Sequence, residues 1–263
     1  IAYNNNCIQP ILVGDLQKTK EIAAEIDFDL TKIEIIDKKD KADAVETAVR
    51  LIRQASAQIL MKGNVATAVL LKGVLNKEWG LRTGNILSHL ALFELKGYHK
   101  LLGVTDVAMN IAPDLKEKIG IINNSVKFLI KIGILNPKVA AISAAETVNQ
   151  SMPSSIDAAV ISKMSERNQI SNCIIDGPLA FDNAISKESA DHKGILSQVA
   201  GDADLLLMPN VETGNVLYKS LSFYADAGIA AVILGAKAPI VLTSRSDSEE
   251  SKLNSIYLAA LGA

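Results

Sequence analysis

The side chains best suited to gripping a small anion lie where a short apolar run gives way to a helix. Near the C-terminus, Ala238-Pro239-Ile240-Val241-Leu242 leads into Thr243-Ser244-Arg245-Ser246 and then Asp247-Ser248-Glu249-Glu250-Ser251. Ile240 to Leu242 reads as a buried strand, and the Leu-, Ala- and Lys-containing segment from Lys252 to Ala263 reads as a helix. Ser246 with Glu249 fits a capping box, which predicts a helix start at about Asp247. Ser244 and Arg245 then occupy the turn at the positive end of that helix. Free backbone N–H groups, a hydroxyl and a guanidinium that can bind two oxygens at once suit an oxyanion or a phosphate. A Ser-rich surface turn with a solvated arginine is the competing account.

A second strand-to-helix passage runs from Pro209-Asn210 through Gly214-Asn215 to Tyr218-Lys219. Gly214 permits close backbone approach and Asn215 offers donors and an acceptor, so a helix starting at Gly214 is a second candidate anion site, with an ordinary Thr or Asn cap as the alternative. Asp176-Gly177-Pro178 stands at a predicted strand end, where it is either a ligand contact or a turn. Thr105-Asp106 and Ser143 hold similar positions with less distinctive chemistry. Lys72, on a predicted helix, and Arg82, in the loop Gly80-Leu81-Arg82-Thr83-Gly84, are cations that could meet a phosphate or simply solvate the surface.

The elements that must position these groups alternate along the chain. Predicted strands at Ile11–Val13, Ile33–Asp37, Ile86–Leu95, Leu101–Val104, Val139–Ser143, Cys173–Pro178, Asp204–Pro209, Ile229–Leu234 and Ile240–Leu242 are separated by helical stretches. The longest helix opens at Pro113-Asp114 and stops at Gly133, and another, capped by Ser154 or Ser155, runs to Asn168. This order predicts an α/β fold with largely parallel or mixed sheet structure, whose ligands sit beyond the carboxyl ends of the strands. Breaks near Asp106–Pro113 and Gly228 predict an outer domain of residues 1–105 plus 230–263 and an inserted domain of residues 106–229.

Composition narrows the function. The 263 residues are 49% hydrophobic and 21% charged with a net charge of -2, which fits a globular chain and gives nucleic acid or an anionic membrane no basic surface to bind. Cys7 and Cys173 are isolated, and His89, His99 and His192 lack ligand spacing, so neither a disulfide framework nor a metal site is expected. No apolar run is long enough to span a bilayer and no signal pattern opens the chain, so a cytoplasmic location is expected, as is a segment preceding Ile1. The glycine fingerprints of dinucleotide and P-loop sites, the serine-hydrolase elbow and the zincin motif are all missing.

The runs Val104-Thr105-Asp106-Val107-Ala108-Met109-Asn110-Ile111-Ala112-Pro113, Asp176-Gly177-Pro178-Leu179-Ala180-Phe181-Asp182-Asn183, Pro209-Asn210 to Lys219, and Gly235-Ala236-Lys237-Ala238-Pro239 into Thr243-Ser244-Arg245 resemble the phosphate acetyl/butyryltransferase family, most of all its butyryltransferase branch. The resemblance covers nearly the whole chain. It implies the two-domain α/β architecture shared with isocitrate and isopropylmalate dehydrogenases, assembly as a homodimer or larger homo-oligomer, and no metal or permanently bound cofactor. The implied substrates are butyryl-CoA or another short acyl-CoA and inorganic phosphate, with coenzyme A released. Starting from acyl phosphate, a CoA thiolate must attack a carbonyl, which calls for a base, donors for the oxyanion and a cation for the leaving phosphate.

By this resemblance Ser244 meets the thiol or carbonyl, Arg245 holds phosphate, and Gly214 and Asn215 complete the pocket. Lys72 falls where acetyltransferase relatives carry a CoA-binding Arg. Those relatives place an aspartate base where this chain has Ser251. Glu250 is therefore the expected base, with Asp247, Glu146, water or a phosphate oxygen as alternatives. Rival readings are a phosphate acetyltransferase, a dehydrogenase of the same fold, or a silent oligomerisation domain.

Overall fold

The structure, a computed structural model, describes residues 1–242 and 247–263. Asp15 ends β1 (Ile11–Gly14) and opens α1 (Leu16–Glu25), because its carboxylate accepts the Lys18 N–H at 3.1 Å. β2 (Glu34–Asp37) lies parallel to β1, with Ile11 opposite Glu34. Asp40 caps α2 (Lys41–Arg53), whose buried positions Val45, Val49 and Ile52 recur at helical spacing. β3 (Leu60–Met61) precedes α3 (Thr67–Val74). Gly73 lets α3 press on α2: a Cβ there would stand 2.4 Å from Val45 Cγ1.

The middle of the chain continues with β4 (Ser88–Glu94), β5 (Leu102–Thr105), α4 (Leu115–Lys131), β6 (Lys138–Ile142) and α5 (Pro153–Glu166). It ends with β7 (Ile174–Leu179), α6 (Phe181–Ile185), α7 (Lys187–His192), β8 (Leu205–Leu207), α8 (Val211–Tyr224) and β9 (Gly228–Leu234). β10 (Ile240–Val241) and α9 (Glu249–Leu261) close the chain. α4 starts where the sequence predicts it, with a reciprocal capping box: Asp114 accepts the Glu117 N–H at 2.8 Å, and Glu117 accepts that of Asp114 at 2.9 Å. Gly133, at φ 98°, follows its last turn.

The chain divides into two compact units, one of Ile1–Asn85 with Gly235–Leu261 and Ala263, the other of Ile86–Leu234 with Gly262. Residues 86–105, assigned from the sequence to the outer domain, fall in the second unit because β4 pairs with β9 along its length and β5 pairs with β8. In the first unit β10 runs parallel to β3, Ile240 facing Leu60 and Val241 facing Met61. In the second, the strand order is β9-β4-β5-β8-β6-β7. β4 is antiparallel to both neighbours, while β5, β8, β6 and β7 are mutually parallel, so the sheet is mixed. α4 packs on β4, β5 and β9, α5 on β6 and β7, and α8 on β5. Phe93, Leu102, Val104, Ala140 and Leu206 are fully buried between these layers.

Two helix starts differ from expectation. α5 begins at Pro153, a residue pre-set for the first helical position, and neither Ser154 nor Ser155 caps it. The Ser155 hydroxyl instead accepts the Asn149 N–H at 2.9 Å and donates to the Met152 carbonyl at 2.8 Å, fastening the preceding loop. In α9 the Ser248 hydroxyl takes the Ser251 N–H at 3.0 Å, two residues beyond the cap expected at Ser246, which lies outside the described residues. Among the described residues, no helix is long and apolar enough to cross a membrane.

Candidate functional site

Thr105, Asp106, Gly214 and Asn215, predicted separately from the sequence, come together in the second unit. Asp106 is 3% exposed. Its Oδ1 accepts the N–H groups of Ala108 at 2.9 Å and Met109 at 3.0 Å, with that of His89 at 3.3 Å. Its Oδ2 accepts the Asn110 backbone at 3.1 Å and side chain at 2.5 Å. Thr105, also buried, donates to the His89 carbonyl at 3.0 Å. These side chains are committed inward, and what they do is fix the loop between β5 and α4. Gly214 meets this loop at its backbone, and Asn215 donates an amide hydrogen to the Val107 carbonyl at 3.3 Å.

α8 starts earlier than the predicted Gly214. Asn210 is its cap, accepting the Thr213 N–H at 2.9 Å and the Thr213 hydroxyl at 2.7 Å. The Val211 N–H goes to the Ile111 carbonyl and that of Gly214 to the Asn210 carbonyl. With these donors spent inside the chain, the helix start has little left for an anion.

Asp176, Gly177 and Pro178 lie apart from that group. They belong to β7 itself rather than to the turn after it, since the strand continues to Leu179. Asp176 accepts the Gly177 N–H at 2.8 Å and lies 3.4 Å from the Ser162 hydroxyl of α5. A Cβ on Gly177 would stand 2.8 Å from the Ala141 side chain and 3.2 Å from that of Ala158, so this glycine admits α5 against the sheet.

The remaining predicted residues belong to the first unit. Lys72 is exposed in the last turn of α3, Arg82 is exposed beside its backbone bridge to Ala236, and Glu250 is exposed in the first turn of α9. Ser244 and Arg245 lie outside the described residues.

The second unit holds a cavity of about 1130 Å³ at the carboxyl ends of three parallel strands. β6 delivers Ser143 and Ala144, β7 delivers Ala180, Phe181 and Asp182, and β8 delivers Met208, Pro209 and Asn210. α8 presents Thr213, Val216, Leu217 and Ser220, one stripe at helical spacing. Lys118 of α4 and Asp157 of α5 meet at the wall, Nζ to Oδ2 2.6 Å, with the lysine only 6% exposed. The Ser143 hydroxyl lies 2.9 Å from that of Ser154 and 3.1 Å from Met152 Sδ. At the rim, a hydrogen bond from the Ser189 hydroxyl, with Lys193 nearby, holds the Asp182 carboxyl below its usual range. Burial pushes the Cys173 thiol up to about 11, which leaves it without thiolate character at neutral pH. Among the described residues no cluster of His, Cys, Asp and Glu could hold a metal ion.

The family model described as Phosphate acetyl/butaryl transferase matches residues 41–260. The chain belongs to this family. A phosphate butyryltransferase of Clostridium acetobutylicum is 52% identical over 262 residues, covering 100% of this chain and 87% of that protein. The crystal structure of a branched-chain phosphotransacylase from Enterococcus faecalis matches with a TM-score of 0.83 at 40% identity, over 89% of this chain and 84% of that one. A 4-hydroxythreonine-4-phosphate dehydrogenase from Klebsiella pneumoniae matches with a TM-score of 0.58 at 13% identity, over 95% of this chain and 88% of that one. At that identity the likeness shows the fold alone, and it accords with the architecture expected to be shared with dehydrogenases.

Of the residues singled out in the sequence, Ser143, Pro209 and Asn210 line the cavity of this phosphate acetyl/butaryl transferase family member, whereas Thr105, Asp106, Asp176, Gly177, Pro178, Gly214 and Asn215 do not. Its wall residues Lys118, Asp157, Met152, Met208 and Leu217 went unremarked in the sequence. A signal existed for Lys118, which falls in phase with the buried stripe Ile121, Ile122 and Ser125 of α4. Leu217 gave none, since a leucine in a helix is ordinarily core.

Proposed function

We propose that this chain catalyses the reversible transfer of a short acyl group, butyryl foremost, between coenzyme A and inorganic phosphate, giving acyl phosphate and free coenzyme A. The observation that carries the reading is the 52% identity to a phosphate butyryltransferase along the whole chain. The branched-chain phosphotransacylase that shares the fold at 40% identity supports a small aliphatic acyl group. The proposal places the chain in the cytoplasm as a homodimer or larger homo-oligomer, working without a permanently bound cofactor.

Starting from acyl phosphate, the thiol of coenzyme A gives its proton to a base and its sulfur bonds to the acyl carbon. The carbonyl oxygen gathers charge, and the C–O bond to phosphate then breaks. In this scheme Glu250 takes the proton, since Ser251 occupies the position where acetyltransferase relatives carry aspartate. Ser244 hydrogen-bonds the thiol or carbonyl and Arg245 neutralises the departing phosphate. Asn215 contributes an amide at the carbonyl, held by its bond to Val107, while Gly214, Thr105 and Asp106 shape the loop on which it rests. Asp176, Gly177 and Pro178 act through the packing of β7. Lys72 and Arg82 offer exposed cations to the phosphates of coenzyme A.

Thiol release from butyryl-CoA, followed with a thiol reagent with and without phosphate, tests the reading. Phosphate-dependent release that disappears in Arg245→Ala is the expected result. Absence of phosphate-dependent release with acetyl-, butyryl- and branched-chain acyl-CoA alike would end it.

A further inference from the structure

Building on the acyl-transfer reading above, we infer that Tyr218 is a positioning residue for the reaction: its ring, seated on β4, sets the rotation of α8 that aims the Asn215 amide. Tyr218 follows Gly214 by four residues and Asn215 by three, so the three share one face of the helix. That face meets the loop after β5 and then β4 at three successive points. Gly214 lies against the Asp106 carbonyl, and Asn215 reaches the Val107 carbonyl at 3.3 Å. About one turn further along, the half-buried Tyr218 ring stands edge-on to His89, centroids 6.1 Å apart at 82°, and to Phe93, 5.6 Å apart at 69°.

The seat is built from the strand upward. His89, Ala91 and Phe93 alternate onto one face of β4, with a ring at each end and only a methyl group between them. Both contacts of Tyr218 fall in the edge-to-face range that aromatic pairs prefer. His89 also ties the loop, since its N–H goes to Asp106 at 3.3 Å and its carbonyl takes the Thr105 hydroxyl at 3.0 Å. Tyr218 therefore registers α8 against the residue that holds Thr105 and Asp106. Asn215 spends one amide hydrogen on Val107, and its second has no partner among the described residues, which leaves it for a substrate oxygen. A bond as long as 3.3 Å holds the rotation of the helix only weakly. A helix is about 11 Å across with its side chains, so a rotation of about 10° carries a side-chain tip by about 1 Å. A misplacement of that size can lower a rate about 100-fold.

The experiment measures kcat and KM for butyryl-CoA with phosphate in the full chain and in Tyr218→Leu, Tyr218→Phe, Asn215→Ala and the double variant Asn215→Ala with Tyr218→Leu. Tyr218→Leu should lower kcat about tenfold or more. Its KM should stay within about twofold of wild type, because the loss falls on an interaction made in the transition state. Tyr218→Phe, which keeps the ring, should recover most of that kcat. In the Asn215→Ala background the leucine should cost nothing further, since a residue acting through Asn215 then has nothing to position. Should Tyr218→Leu not fold, Phe93→Leu loosens the same seat from the strand side and carries the same expectation. Wild-type kcat in the folded leucine variant, a phenylalanine variant as slow as leucine, or additive losses in the double variant overturns the positioning role. Asn215→Ala at wild-type turnover overturns it as well. A wild-type chain with no phosphate-dependent thiol release overturns the transferase reading instead, and the positioning role falls with it.

Discussion

A Cβ built on Gly214 would lie 2.3 Å from the carbonyl oxygen of Asp106. α8 therefore rests directly on the backbone of the loop after β5, and only a residue without a side chain permits this approach. Alanine would add helix propensity of about 1 kcal/mol, yet the clash is with main chain and cannot be relieved by a rotamer change. Gly214→Ala should consequently lose about 1–3 kcal/mol of unfolding free energy. Urea unfolding reads this directly, and a variant as stable as the wild type would show that the loop yields freely.

The same loop depends on the carboxylate of Asp106. Both of its oxygens accept N–H groups, from Ala108, Met109 and Asn110 among others. Asn at this position keeps the shape but turns an NH2 group toward donors. Asp106→Asn should cost about 3 kcal/mol, the scale for unsatisfied buried polar groups around a former charge. Thermal unfolding would detect it, and a melting temperature within one degree of wild type is the outcome that excludes it.

At the opposite, amino ends of the strands, Asp202 draws together His99, Lys100 and Lys138. Partial burial works to raise its pKa, but hydrogen bonds from Lys100, Lys138 and His99 outweigh this and hold the carboxyl well below the usual carboxylate range. A depressed folded pKa stabilises the protein above the unfolded value of about 4, and that contribution disappears as pH falls from there toward the folded pKa. Asp202→Asn should thus flatten the acid limb of the stability curve while changing little of its shape from pH 6 to 8. Denaturant unfolding at a series of pH values makes the comparison, and parallel curves for the two proteins would count against it.

Much of the frame was readable in the sequence because it rests on local chemistry. The Asp114–Glu117 capping box and Gly133 bracket α4 within the residues that form it. What misled was a residue type with two meanings. Pro178 reads as a strand terminator, yet β7 is the outermost strand of its sheet, beside a register shift between Ala140 and Ile142, and a missing N–H is tolerated there. β7 ends one residue past Pro178, at Leu179, and the residues that follow it, Ala180, Phe181 and Asp182, line the cavity. Gly214 reads as a helix start for a similar reason, whereas its lack of a side chain answers to Asp106, a residue far away in the chain. The rule that ligands gather at carboxyl strand ends points to the edge of the sheet where the cavity lies, and tertiary packing decides which residues stand on it.

Glu250, exposed in the first turn of α9, is proposed as the base, and its carboxylate stands at a helix start that favours negative charge. Removing a general base commonly lowers turnover about 100-fold or more. Glu250→Gln should therefore slow phosphate-dependent turnover to that degree and displace the acidic limb of the pH–rate profile. Turnover and profile both matching wild type would take Glu250 out of the mechanism and leave Asp247 or Glu146 to be tried next.

Lys118 and Asp157 should respond unequally to substitution, because they are unequally hidden. The lysine side chain is 7% exposed and the aspartate 26%. Losing Asp157 strands an ammonium group among apolar neighbours, whereas losing Lys118 leaves a carboxylate that water can still reach. Breaking a buried pair from one side costs about 3–5 kcal/mol, and replacing both partners with apolar groups costs far less. Asp157→Leu should therefore be the most destabilising change, Lys118→Met milder, and the double variant more stable than Asp157→Leu alone. Urea unfolding of the three proteins completes a double-mutant cycle in which additive losses would mean that the pair contributes no coupling.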